Sequence, residues 1–499
     1  MPEPLDRCEL PWLEARAAIE PDRPAILFEN RRLSFRELAD EVELAAGRLC
    51  VLGTKPGDRV ALLMDASLRM VEIVHAAQRC GITLVPLNTR LAAAEIEALI
   101  TDAEPRIVLH DAVHSPIVDR IREGFPGVRF VEAEREFETI APTRMPQPIR
   151  PNAASVQTIL YSSGTTGRPK GVMLTHANHW ASAIASRANL GVRSDDRWLL
   201  AMPLYHVGGL SIVMRSVIDG IPIVLHRHFD PARVNAAIRN QGITLMSVVS
   251  TMLLRMIDEN GDERYPSTLR YVLVGGGPVA PSLVARALAA GIPVTPTYGL
   301  TEAASQVATA AVGDAATRPG SCGRPLPGTE VRLDQIDRDG RGEILVRGSS
   351  VMAGYFRRPR ESEAALRGGW LHTGDIGHFD ADGFLYIDDR RTDLIVTGGE
   401  NVYPAEVENV MLAHPAVAEA AVYAVPDREW GQRVAASVVL RGGHTADEAG
   451  LREWCAERLA RFKIPATIDF AATLPRTPSG KIRRHALRDA IGASGKNAR

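Results

Sequence analysis

The sequence predicts an α/β protein, with a large N-terminal domain built from parallel-sheet subdomains and a smaller α+β domain after it. Three observations predict this: a length of 499 residues, short apolar runs that alternate with helical stretches, and a change of texture beyond about Phe379. A chain of this length exceeds what one compact core holds, so at least two domains are required.

The alternation begins with Arg59–Met64 (RVALLM), a helical stretch at Val71–Cys80, then Ile82–Leu87 (ITLVPL) and Arg106–His110 (RIVLH). Uninterrupted apolar strands of this kind belong to parallel sheets covered on both faces. The pattern returns with Arg270–Val274, a Gly275-Gly276-Gly277 turn, a helix with Pro281 in its first turn, and Pro293–Thr297. Proline suits that first turn, where its missing N–H has no partner to lose. Beyond Phe379 the chain reads as a hairpin-like piece (DADGFLYIDDR), a helix near Pro404–Ala413, strands at Ala418–Val425 and Val434–Leu440, and a helix near Ala446–Leu459. The boundary falls near Arg391 and Thr392, giving domains 1–391 and 392–499, the second of a common domain size.

Composition excludes several classes. Hydrophobic content of 45%, 24% charge and 5% aromatics describe an ordinary globular protein. With 58 basic against 60 acidic residues there is no global field to gather nucleic acid or anionic lipid, so any phosphate site is local. The five cysteines (Cys8, Cys50, Cys80, Cys322, Cys455) are scattered and never spaced Cys-x-x-Cys, which argues against a disulfide framework and a zinc site. A reducing cytoplasm fits. The opening MPEPLDRCELPW has acids where a signal peptide needs positive charge, and no apolar run approaches about 18 residues, so neither export nor membrane spanning is expected.

The most informative string is Tyr161–Gly171, YSSGTTGRPKG. Hydroxyls of Ser162, Ser163, Thr165 and Thr166, backbone N–H groups around Gly164 and Gly167, and the cation of Lys170 are what a polyphosphate requires. The spacing imitates a Walker loop, but Pro169 stands where that loop needs glycine and Gly171 where it needs a magnesium-binding hydroxyl. A P-loop kinase or ATPase is disfavoured. Further on, Tyr298-Gly299-Leu300-Thr301-Glu302, GWLHTGD (Gly369–Asp375), DDRRTDLIVTGGENVYPAEVE (Asp389–Glu408) and PRTPSGKI (Pro475–Ile482) follow in order.

Taken together these motifs resemble the adenylate-forming superfamily of acyl-CoA synthetases, carrier-protein adenylation domains and luciferases, over nearly the whole chain. The resemblance implies an ATP-dependent acid–thiol ligase that makes an acyl-adenylate, with ATP, Mg2+ and coenzyme A as the small molecules. Lys170 would serve the leaving phosphates, Glu302 would hold Mg2+, and Thr301 would reach the α-phosphate. Gly275, Gly276, Gly277 and Pro278 would lie flat against adenine, with Tyr298 supplying the other face. Asp375 would accept from the ribose hydroxyls, supported by Arg390. The resemblance places Lys481 between substrate carboxylate and ribose, and implies that its small domain is mobile, with the hinge at Thr392, where many relatives carry Asp or Lys. After rotation the loop of Gly398, Gly399, Glu400 and Asn401 would line the thiol channel, with Trp430, Phe462 and Lys463 as further CoA contacts.

The acyl pocket is expected around Pro203–Ser211 (PLYHVGGLS) and the segment after Glu302, with His206 at its edge and Ser211, Ser305 and Gln306 among its polar groups. A second polar group on the acid follows from those side chains. The strings MPLYHVGGLSIVMRSVIDGIPIVLH, VGGGPVAP and YGLTEAASQ look most like the 2-succinylbenzoate–CoA ligases of menaquinone biosynthesis. Arg215 offers a partner for a second carboxylate, although a place on a helix surface is the reading its sequence context favours. A generic medium-chain or aryl acyl-CoA synthetase, an enzyme that loads a carrier protein or an amine, and a silent nucleotide-binding relative are the alternatives. The oligomeric state is open, a homodimer included.

If Lys481 serves only the first half-reaction, Lys481→Ala loses adenylate formation by on the order of 100-fold, about 3 kcal/mol, as for other preorganised electrostatic groups. Thioester formation from supplied acyl-adenylate is expected to survive, and a mutant equally slow in both steps contradicts the division.

Overall fold

The computed structural model describes residues 11–143, 152–162, 169–277, 279–390, 394–475, 484 and 486–488, the side chains of 389 and 390 excepted. They fall into two compact units. One comprises the described residues of 1–89, 100–161 and 171–389, and the other those of 90–99, 162–170 and 390 onward.

Among the described residues the larger unit is built on three sheets. In the first, Arg129–Glu132, Ile107–His110, Arg59–Leu63, Thr83–Pro86 and Val156–Ser162 lie side by side in parallel. Val60, Ala61, Leu62 and Leu63 are all buried, so the apolar run reads as it does because both faces are covered. The helix that follows, Leu68–Cys80, starts earlier than the apolar periodicity indicates because Ser67 caps it, accepting from the Met70 amide; it ends at Gly81 with φ +65°. Beyond Val156–Ser162 come Lys170–Thr175 and then the short strand Gly354–Tyr355, paired antiparallel to it.

In the second sheet Pro24–Phe28, Ile223–Leu225, Trp198–Leu200, Leu245–Val248, Tyr271–Val274 and Val294–Leu300 are parallel neighbours. The last of these runs beyond Thr297, where the sequence reading stops it, because an antiparallel partner, Ser305–Thr309, holds its end. That extension puts Tyr298 and Gly299 on the strand. A third, antiparallel sheet contains Thr329–Asp334, Gly342–Gly348 and Leu371–Phe379, with Leu385–Arg390 beyond them.

The smaller unit has its own core, centred on Ile395, Val407, Met411, Val422, Val438, Leu451 and Cys455. A long hairpin, Val417–Asp427 with Gly431–Leu440, is joined in parallel by Thr467–Phe470 and backed by the helices Pro404–Leu412 and Glu448–Ala456. The α/β class and the small α+β part are therefore as the sequence indicates. All described cysteines are free thiols, and no helix among the described residues is long and apolar enough to cross a membrane.

Candidate active site

The strand Val294–Leu300 is followed by a single 3-10 turn, Thr301–Ala303, from which the chain doubles back into Ser305–Thr309. Gly299 permits this reversal, since a Cβ there would lie 1.9 Å from the Ser305 carbonyl oxygen. Ala304 and Ser305 take φ values of +52° and +117°, a side of conformational space that residues with a Cβ rarely adopt. Such strain persists only where the surroundings fix it. Here the Ser182 hydroxyl donates to the Ala304 carbonyl at 2.7 Å, and the Met352 amide donates to the Glu302 carbonyl at 2.8 Å.

On one side of the turn lie the residues expected at the nucleoside. The Tyr298 hydroxyl donates to Asp375 Oδ2 at 2.7 Å, joining the predicted adenine and ribose residues directly. The Tyr298 ring is only 5% exposed, so what the fold assigns it first is the hold on Asp375. Asp375 is fixed from behind as well: its amide donates to Thr373 Oγ1 (3.1 Å), and the preceding Gly374 amide donates to the buried Glu343 (3.0 Å). Gly275 lies tight against the same strand, where a Cβ would come within 2.8 Å of Thr297 Cγ2, and Gly276 has φ +77°. The flat backbone surface expected there is thus one that side chains would destroy.

Thr301 and Glu302 are half-buried at the tip of the turn. The Tyr355 hydroxyl donates to Glu302 Oε1 at 3.1 Å. A carboxylate beside a hydroxyl is a hard-oxygen donor set, which suits magnesium shared with phosphate oxygens and not a softer metal. Another grouping of metal-ligand type, Asp65, Asp111 and His114, is closed on itself: Asp111 accepts from the Asp65 and His114 amides (2.8 and 3.1 Å) and meets His114 Nδ1 at 2.5 Å.

Other residues are expected at the acid. His206 occupies the N-cap of the helix Val207–Asp219, its ring 4.7 Å from that of Tyr205. Ser211 is buried and donates to the Gly208 carbonyl at 3.2 Å, so its proton is committed within its own helix. Gln306 donates to Thr309 Oγ1 at 3.0 Å, while its buried Oε1 has no hydrogen-bond partner among the described residues.

Arg215 corrects the sequence reading. It is 2% exposed, not on a helix surface. Its Nη2 reaches Ser182 Oγ at 3.5 Å, its guanidinium sits 5.8 Å from the centre of the Trp198 ring, and its Nε has no hydrogen-bond partner among the described residues. Burial lowers its pKa to about 10, with Asp219 acting in the opposite sense. Asp219 itself faces Arg187 at 3.6 Å and is raised by burial to about 7.

Ser163, Gly164, Thr165, Thr166, Gly167, Pro278, Thr392 and Lys481 lie outside the described residues, as does the side chain of Arg390. Ser162 ends one strand and Lys170 begins the next. In the smaller unit Gly398 and Gly399 turn the hairpin Ile395–Thr397/Glu400–Val402 with φ +57° and +87°. Gly398 donates its amide to the Trp430 carbonyl (2.9 Å), and a Cβ on it would lie 2.7 Å from the indole, so two of the residues expected at CoA are in contact. Lys463 differs from the expectation. Buried, it donates to Glu406 at 2.6 Å and Glu95 at 2.5 Å, so its ammonium serves carboxylates and not a CoA phosphate.

Sequence reasoning passed over Ser182, Glu343 and Tyr355. A serine in a helix, an acid in a strand and a Gly-Tyr pair carry no local signal, and only the fold brings them to the motif residues. Gly299→Ala is expected to push the Ser305 carbonyl aside and lower adenylate formation by about 100-fold, the scale of a 1 Å misplacement. Pyrophosphate release measures this, and an unchanged rate would place the turn outside the chemistry.

The AMP-binding enzyme family matches residues 13–356, and the AMP-binding enzyme C-terminal domain matches 406–481. A 2-succinylbenzoate–CoA ligase of Geobacillus kaustophilus (strain HTA426) is 44% identical over 487 residues, covering 96% of this chain and 97% of the relative. The o-succinylbenzoate CoA synthetase of Bacillus subtilis, as a double mutant bound to its product analogue, superposes with a TM-score of 0.91 at 37% identity, covering 96% of this chain and 98% of that one. The same enzyme in complex with ATP and magnesium gives 0.74 at 38% identity, with 96% and 99% covered. By the extent of these matches, the chain belongs to the family of AMP-binding enzymes.

Proposed function

We propose that this chain is a 2-succinylbenzoate–CoA ligase. The acid's carboxylate attacks the α-phosphate of ATP, releasing pyrophosphate and leaving the acyl-adenylate. The CoA thiol then displaces AMP to give the thioester. The observation that carries the choice of acid is Arg215: a buried guanidinium with no carboxylate in ion-pair range among the described residues is costly unless something anionic completes it. The free carboxylate of a diacid does so. The contacts from Arg215 through Ser182 to the Ala304 carbonyl connect that cation with the turn bearing Thr301 and Glu302. The relative of 44% identity carries the name of this activity.

In this reading Asp375 accepts from the ribose hydroxyls with Arg390 beside it, Tyr298 and Gly275–Pro278 take the base, and Thr301 donates toward the α-phosphate. Glu302 would hold magnesium, whose charge would neutralise that of the phosphates when bound. Ser162 to Gly167 and Lys170 hold the departing pyrophosphate, and Lys481 offsets repulsion between the two anions. His206, Ser305 and Gln306 border the acyl end, while Gly398, Gly399 and Trp430 border the thiol arm. The domain division proposed is 1–391 and 392–499, with Lys481 on the smaller part. A cytoplasmic location accompanies this reading, since ATP and CoA are its co-substrates.

AMP release with 2-succinylbenzoate, benzoate and medium-chain fatty acids, each with and without CoA, tests the proposal. CoA-dependent release with 2-succinylbenzoate is expected; release independent of CoA, or good turnover of fatty acids with none of the diacid, overturns it. Arg215→Met keeps the volume and removes the charge. It is expected to raise KM for the diacid by roughly 100-fold, about 3 kcal/mol for a lost buried charge pair, with KM for ATP unchanged.

A further inference from the structure

We infer that Tyr355 is a positioning residue for the metal-binding carboxylate, fixing Glu302 in the orientation that receives Mg2+–ATP; this rests on the reading of Glu302 given above. Glu302 sits on a three-residue turn next to strained backbone, where a long, flexible carboxylate needs outside support. One segment supplies that support twice. The Met352 amide donates to the Glu302 carbonyl (2.8 Å), and three residues on the Tyr355 hydroxyl donates to Glu302 Oε1 (3.1 Å).

The segment is itself rigidly held. Gly354 and Tyr355 pair with Met173 and Val172, and the Phe356 amide donates to the Gly171 carbonyl at 2.7 Å. From the other side the Ser362 hydroxyl accepts from the Tyr355 amide at 2.8 Å and donates to the Arg358 carbonyl at 2.7 Å. The side chain of Tyr355 is therefore a fixed strut between the strand that begins at Lys170 and the carboxylate of Glu302.

Its chemistry suits the task. A phenol is a neutral donor: it orients one carboxylate oxygen and leaves the negative charge that attracts magnesium, whereas an arginine or lysine at the same place would cancel that charge. Groups that orient metal ligands typically alter metal affinity by 10–100-fold when removed.

Tyr355→Phe keeps the ring and its packing and deletes only the hydroxyl. The readout is Mn2+ binding to the enzyme with a non-hydrolysable ATP analogue, followed by the EPR signal of free Mn2+, for the parent, Tyr355→Phe and Glu302→Gln. The half-saturating Mg2+ concentration for pyrophosphate release accompanies it. Tyr355→Phe is expected to weaken Mn2+ binding by about 10-fold and raise half-saturating Mg2+ by a similar factor, with KM for the acid and kcat at saturating Mg2+ unchanged. Parental Mn2+ affinity in Tyr355→Phe beside a loss in Glu302→Gln overturns the inference and reduces Tyr355 to a strand residue. Parental affinity in Glu302→Gln overturns the assignment of Glu302 itself, and the inference with it.

Discussion

The carbonyl of Ser305 occupies the space in which residue 299 would otherwise place a side chain. From that single close approach the rest of the site follows. It closes the strand Val294–Leu300 onto Ser305–Thr309, forces Ala304 and Ser305 to positive φ, and thrusts Thr301 and Glu302 out at the tip. Strained residues of this kind cost roughly 1–3 kcal/mol each. Hydrogen bonds from Ser182, Met352 and Tyr355 surround the turn, so the strain is offset by groups from two separate parts of the chain, Ser182 and the segment Met352–Tyr355. The arrangement that makes the turn expensive is also the one that leaves Glu302 little freedom.

Burial of charge shapes the helix Val207–Asp219. The helix Val207–Asp219 carries His206 at its start and Arg215 and Asp219 near its end. Arg16, fully buried, donates to the carbonyls of Val217 and Ile218 at 3.0 and 2.7 Å, satisfying acceptors that a helix C-terminus leaves open and placing positive charge at the negative end of its dipole. Asp219 turns toward Arg187, so it does not neutralise Arg215 by direct contact. Arg215 is thereby buried without an ion-pair partner among the described residues, an arrangement that costs stability unless an anion completes it.

The smaller unit treats its buried cation the opposite way. Burial alone would depress the Lys463 ammonium, but Glu406 and Glu95 more than offset that, and its pKa lies above the usual lysine value. Glu406 is pushed up by burial even with Lys463 in contact. A lysine closed in this manner is a structural knot of its unit. The contrast with Arg215 shows that residue type and motif neighbourhood are poor guides to which buried cation the fold pairs with carboxylates.

The strand–helix alternation was legible because both-side burial writes uninterrupted apolar runs, and the ends of helices were misjudged where a cap such as Ser67 lay outside the periodic stretch. Tyr298, Gly299, Thr301, Glu302 and Asp375 stand out in the sequence because each lies in a motif whose chemistry calls for that residue type, and the fold joins Tyr298 to Asp375 directly. Arg215, Tyr355 and Ser182 do not stand out, since what links them to the turn is contacts 33 to 122 positions away in the chain. By itself, then, the sequence determined the α/β class, the phosphate and nucleoside chemistry and the identity of the polar groups. Tertiary structure alone decided which of those groups are buried, partnered or left to complete a ligand, because burial and pairing depend on neighbours that are distant in the chain.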